Sequence, residues 1–307
     1  MKTKLRIAKT GTFVGHKGSI FAMTANEKEN ALFTSGDDGI VAKWNIESPE
    51  IDAKGILKMA VPNYSLLFVE EYNLLITGAS DGHVSFVDTE KKEIVHIYRK
   101  VPTAVYALLY DKETDFLWVL HGTGFFSVVK MSERKEIAFN RLAMNHLRTA
   151  KIYQDQILIG ASDGNIYLLN KHTFMPIKSW KAHENSVFSL FVLSENKILL
   201  SGGRDARLNV WDLQNDCRNV DKIPAHLSTI NDIVASPSAN FFATSSRDKT
   251  IKIWDSYTFE LLKVIDFARN QSHTYSVNKL LWIKEKNCLL SCSDDKLGMK
   301  WEIEPQI

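Results

Sequence analysis

The sequence predicts an all-β protein in which one unit is repeated seven times and the copies close into a ring. Three observations carry this. A short turn, usually bearing Asp and followed by alternating apolar residues, recurs along the chain. The copies are evenly spaced. The stretches left over at the two ends add up to the one strand that the last copy lacks.

Aligned on the turn, the copies fall at Asp38, Asp81, Thr123, Asp163, Asp205, Asp248 and Asp295, with successive gaps of 43, 42, 40, 42, 43 and 47 residues. A period near forty is that of a four-stranded propeller blade. Four of the copies share a stricter pattern. They read His16, Thr34, Asp38, Trp44; His183, Ser201, Asp205, Trp211; His226, Thr244, Asp248, Trp254; and His273, Ser291, Asp295, Trp301. His precedes Asp by 22 and Asp precedes Trp by 6 in all four. The second, third and fourth copies lack the His, and Val87, Val129 and Leu169 stand where Trp is expected.

On these residues the chain resembles the WD-repeat family along its whole length. Gly15-His16 matches the family's Gly-His start, Ala182-His183 and Ala225-His226 are near matches to it, and Trp211-Asp212 and Trp254-Asp255 are full Trp-Asp ends. The resemblance implies a seven-bladed β-propeller, here a single domain over residues 1–307. It also implies that each His–Ser/Thr–Asp–Trp set is a buried hydrogen-bonded chain inside one blade. A catalytic triad would occur once, in a pocket. A set that recurs four times is a structural device that leaves no buried polar group unpaired. No catalytic residue is assigned.

Within the fifth copy, Val187–Val192, Lys197–Ser201 and Arg207–Trp211 read as strands a, b and c. One blade cannot cover both of its faces, so neighbours must stack, and closing the ring removes exposed edges. After Trp301 only six residues remain, too few for the outer strand of blade seven. Leu5–Lys9 and Thr12–Val14 are therefore expected to supply it, latching the ring and leaving no appended domain. In blades two to four, Leu66, Ile76, Val87, Leu108, Val129 and Leu158 are expected to hold the structure by apolar packing.

Composition narrows the function. Hydrophobic residues make up 45% and charged residues 24%, which suits a packed core. The net charge of +2 is too small for non-specific nucleic-acid or membrane binding. Three cysteines form no disulfide framework, and Cys288 and Cys292, four apart in a strand, read as small buried hydrophobes. The stretch from Met1 to Lys9 has no continuous apolar run, so no leader is expected. Asp38-Gly39, Asp81-Gly82 and Asp163-Gly164 read as turns and not as phosphate cradles. A cytoplasmic chain with no cofactor and no metal is the expectation.

In the resembling family, partners dock on the face made by the loops entering strand a and joining strands b and c. The position five after the His reads Phe21, Tyr64, Tyr106, Arg148, Phe188, Asn231 and Asn278 around the ring, after a two-residue adjustment in the short fourth blade. The residue before the turn adds Arg204 and Arg247. Aromatics and arginines dominate interface hot spots, and Arg clamps carboxylates bidentately. The expected function is a scaffold or adaptor binding one or more proteins or peptides, with an acidic peptide suiting the arginines, and no membrane. Two other functions compete with it. An enzyme at the channel mouth would have only Asp37, Asp294 and His146 to draw on. A nucleic-acid-binding propeller would use Arg148, Arg204, Arg247 and the aromatics, but near-neutral charge disfavours it.

Overall fold

The structure, a computed structural model, describes residues 5–51, 53–193, 197–237 and 240–305; residues 1–4, read above for a leader, lie outside them. In these the chain forms seven four-stranded antiparallel sheets. Six are built from four consecutive strands, labelled a to d from the centre outward. The strands a are Ile20–Asn26, Asn63–Val69, Val105–Asp111, Leu147–Tyr153, Val187–Leu193, Ile230–Ala235 and Val277–Ile283. Each packs beside the next, and the last packs beside the first, so the ring closes around a central channel.

Blade seven is completed as the two chain ends predict. Its strand c, Leu297–Pro305, pairs antiparallel with Leu5–Val14, running from Leu5 opposite Pro305 to Val14 opposite Leu297. Leu5 and Phe13 point inward and are fully buried. Leu5 joins the core between blades six and seven and Phe13 the core between seven and one.

Among the described residues seven apolar clusters fill the ring, one between each adjacent pair of blades. The Trp of strand c is the large wedge where present. Trp44, Trp211, Trp254 and Trp301 face Leu32, Leu199, Phe242 and Leu289 of strand b. Val87, Val129 and Leu169 occupy the same register opposite Leu75, Leu117 and Ile157, which settles the alignment of the degenerate copies. Ile76 and Leu158 are fully buried, while Leu66 and Leu108 pack at cluster margins. Cys288 and Cys292 lie together in the core between blades seven and one, and burial raises both thiols' pKa.

The b–c turns require a left-handed residue after the turn Asp or Thr. Gly39, Gly82, Gly124 and Gly164 supply it with φ of +66, +93, +81 and +82. At Gly82 a Cβ would lie 2.0 Å from the Val101 carbonyl. Blades five to seven place Ala206, Lys249 and Lys296 there instead, at φ of 63, 74 and 71. The long gap of 47 residues has a local cause: the connection into blade seven carries a short helix, α1 (Phe267–Asn270), capped by Asp266 accepting from Arg269 N at 2.8 Å. Among the described residues no helix is long and apolar enough to cross a membrane.

Candidate functional site

The four His-bearing blades contain the hydrogen-bonded chain in full. In blade six, Trp254 Nε1 donates to Thr244 Oγ1 at 2.9 Å, Thr244 Oγ1 meets His226 Nε2 at 2.7 Å, and His226 Nδ1 meets Asp248 at 2.9 Å. Blades one, five and seven repeat it through Thr34, Ser201 and Ser291, with every contact between 2.7 and 2.9 Å. The chain has a fixed polarity. Indole only donates and carboxylate only accepts, so the hydroxyl gives its proton to His Nε2 and His Nδ1–H points to Asp. The Asp also caps the turn: Asp248 accepts from Leu227 N and Thr250 N. Burial would raise the pKa of Asp38, Asp205, Asp248 and Asp295, but His and backbone donors outweigh it and hold all four below the ordinary value. The sets are largely buried struts, and Asp248 and His273 also border a cavity on the loop face.

Blades two to four do not rest on apolar packing alone, which corrects the sequence expectation. The turn carboxylate of blade two, Asp81, takes His83 Nδ1 from its own turn at 2.8 Å. Blade four's Asp163 accepts from Tyr167 Oη at 2.6 Å. In blade three, buried His121 Nε2 lies 2.8 Å from Ser127 Oγ, and Tyr98, from strand d of blade two, donates to Glu136 while its Oη lies 2.7 Å from Ser127 Oγ. The signals were present as His83 two residues after Asp81 and Tyr167 four after Asp163. The blade-three set joins two blades, so no single-repeat spacing reveals it.

The seven residues counted toward the docking face share one structural origin. In every blade the strand a–b register slips at that residue: between Ile20 and Ala22, Asn63 and Ser65, Val105 and Ala107, Leu147 and Thr149, Val187 and Ser189, Ile230 and Asp232, and Val277 and Lys279. Phe21, Tyr64, Tyr106, Arg148, Phe188, Asn231 and Asn278 are thus the bulged residues, and a bulge re-aims its side chain. All seven line the cavity at the channel mouth.

They divide into two arcs. Phe21, Tyr64 and Tyr106 stack in sequence at centroid separations of 5.4 and 5.6 Å. The Arg148 guanidinium continues the arc, 4.3 Å from the Tyr106 ring and 5.1 Å from Phe188, with its Nε donating to Ser162 Oγ at 2.9 Å. Burial, then Tyr106 and the Asp37 carboxylate, raise the Tyr64 phenol's pKa and keep it neutral. The other arc is polar and already engaged. Asn231 donates to Ser276 Oγ and Val277 O, and Asn278 to Ile20 O and Asp294 Oδ1, so each amide staples its blade to the next or to its own b–c turn. Arg204 and Arg247 are exposed, and among the described residues neither guanidinium is in a salt bridge.

Asp37, Asp294 and His146 do not converge. Asp294 is bound by Asn278, His146 contacts the Gly122 carbonyl and packs on Tyr106, and Asp37 is exposed. The counting rule did not find the apolar side chains exposed on the same d–a loops. These are Met144, Phe267, Tyr275 and Leu227, the last 93% exposed directly after a buried His. Phe267 also borders a cavity of about 410 Å3 shared with Lys249, Thr250 and Thr274.

Seven blades, four internal His–Ser/Thr–Asp–Trp chains and closure by the N-terminal strand make this chain a WD-repeat β-propeller. The family described as WD domain, G-beta repeat matches residues 8–45, 174–212 and 217–255, in the region of three of the blades that hold the full hydrogen-bonded chain. The chain is 26% identical over 261 residues to the serine-threonine kinase receptor-associated protein of Homo sapiens, covering 80% of this chain and 69% of the relative. It is 22% identical to WD repeat-containing protein 55 of Rattus norvegicus, covering 82% and 66%. It is also 22% identical to a WD repeat domain-containing protein 83 homolog of Dictyostelium discoideum, covering 78% and 70%.

Proposed function

We propose that the chain is a non-enzymatic scaffold that binds partner proteins or peptides on the face formed by the d–a and b–c loops. The observation that carries this is the arc of bulged residues from Phe21 to Phe188. It presents four aromatics and one arginine half-buried at a concave mouth, the composition and shape of an interface hot spot. Around it stand the exposed guanidinium groups of Arg204 and Arg247, in no salt bridge among the described residues, and the exposed apolar Leu227, Phe267 and Tyr275. An apolar segment carrying carboxylates fits this mixture: its side chains cover the aromatics and its acids meet the arginines. Asn231 and Asn278 support the rim by tying blades together. A relative named for association with a receptor kinase accords with a binding role.

The test is affinity capture from lysate of the native host, comparing wild type with a Phe188→Ala, Arg204→Glu, Arg247→Glu variant that melts as the wild type does. A protein retained by wild type and lost by the variant supports the reading. Equal recovery moves the site elsewhere on the ring. Capture of nucleic acid that collapses with added salt replaces the protein partner with a nucleic acid.

A further inference from the structure

Inward from each bulge, the residues one and three positions on face the channel, because side chains along a strand alternate. The upper of these two layers is small and uncharged except for Asp232 in blade six and Lys279 in blade seven. The lower is apolar in five blades and Thr24 in blade one, and its one charge is Lys151 in blade four. All of these but Thr24, Ser189 and Phe191 line a cavity of about 520 Å3, the one whose mouth the bulged residues form.

The charges in it do not balance. Asp232 is already committed, accepting from Leu280 N at 3.0 Å and from Lys279 Nζ at 3.2 Å. Lys151 lies 5.7 Å from the Phe191 ring, and among the described residues it has no salt bridge or hydrogen bond to a carboxylate. Burial, then repulsion from Lys279, lower the Lys151 pKa, with Asp232 opposing. An ammonium in an apolar ring whose nearest interacting carboxylate, Asp232, is already paired with Lys279 is costly, and an anion would relieve the cost. Arg148 at the mouth adds a positive field along the entry path. The lysine donors project from separate blades and the Thr149 hydroxyl lies on the same wall. Such point donors suit a tetrahedral oxyanion, whereas a planar carboxylate is better met by a guanidinium fork.

We propose that the central channel binds a small phosphate-type oxyanion between Lys151 and Lys279, beneath the docking mouth. The site shares its cavity with the docking mouth but is formed by residues further along strands a.

The experiment is calorimetric titration of the full chain with inorganic phosphate, chloride being adjusted to hold ionic strength constant. Wild type should bind one equivalent saturably. Lys151→Met should bind about tenfold more weakly or not at all, while Lys151→Arg should retain binding and Arg204→Glu, Arg247→Glu should bind as wild type. Lys279→Met serves if Lys151→Met fails to fold, and it should show the same weakening. No saturable phosphate binding by wild type, unchanged binding by the lysine-to-methionine variants, or loss in the Arg204, Arg247 variant would each overturn the proposal.

Discussion

Thr34 and Thr77 sit at the same position of strand b in neighbouring blades, and their surroundings give them opposite value. Thr34 Oγ1 joins Trp44 to His16. Thr77 is equally buried, yet its hydroxyl has no partner among the described residues, because blade two holds Val87 in place of Trp and no matching His. Removing the hydroxyl of Thr34 strands two buried polar groups, whereas removing that of Thr77 strands none. Thr34→Val should therefore lower stability by about 2 kcal/mol and Thr77→Val should leave it unchanged or raise it by about 1 kcal/mol, read from denaturant or thermal unfolding. His121 makes a second residue-scale prediction. Burial pushes its pKa down to about 4, against the pull of Glu136. The folded state thus holds it neutral while the unfolded chain takes up a proton near pH 6.5. Its contribution is present above pH 6.5 and is lost as pH falls toward 4. His226, lowered by burial against Asp248, acts in the same direction. Melting temperature should fall across that interval, and His121→Gln should flatten the fall by about 3 kcal/mol in stability. A variant as acid-sensitive as wild type would show that His121 is not the group responsible.

At the scale of strands and turns, the sequence was legible wherever one repeat carries its own chemistry. The spacing of His, Asp and Trp located strands a, b and c and the turn between b and c. Counting from the turn found the bulged residue even in blades that have lost the His, because turn and bulge lie 17 residues apart in six blades and 15 in the shorter blade four, where a two-residue adjustment was needed. Devices that join blades were not legible. Tyr98 reaches Ser127 and Glu136 from the preceding blade, and Asn231 and Asn278 use their amides on the following one. The isolation of Lys151 also depends on what six other blades place opposite it. The closing strand is the exception, an inter-repeat feature betrayed by arithmetic at the two ends. It makes its own prediction. Without Leu5–Val14, strand c of blade seven loses its outer partner, and two apolar clusters lose Leu5 and Phe13. Deleting residues 1–14 should lower the melting temperature and open blade seven first. A truncated chain that melts like the full one would contradict the latch.

For the whole molecule, the clusters between blades hold the ring together, and the loops such a scaffold positions are where binding residues concentrate. The ring brings seven bulged residues from distant points of the chain to one mouth, and that convergence is the basis for assigning a binding role. The most direct test is hydrogen–deuterium exchange of the full chain with and without its captured partner. Protection is predicted in the segments entering strands a and in the b–c turns at Arg204 and Arg247, centred on blades one to six. Protection confined to the outer strands d, or to the opposite face, would contradict the account.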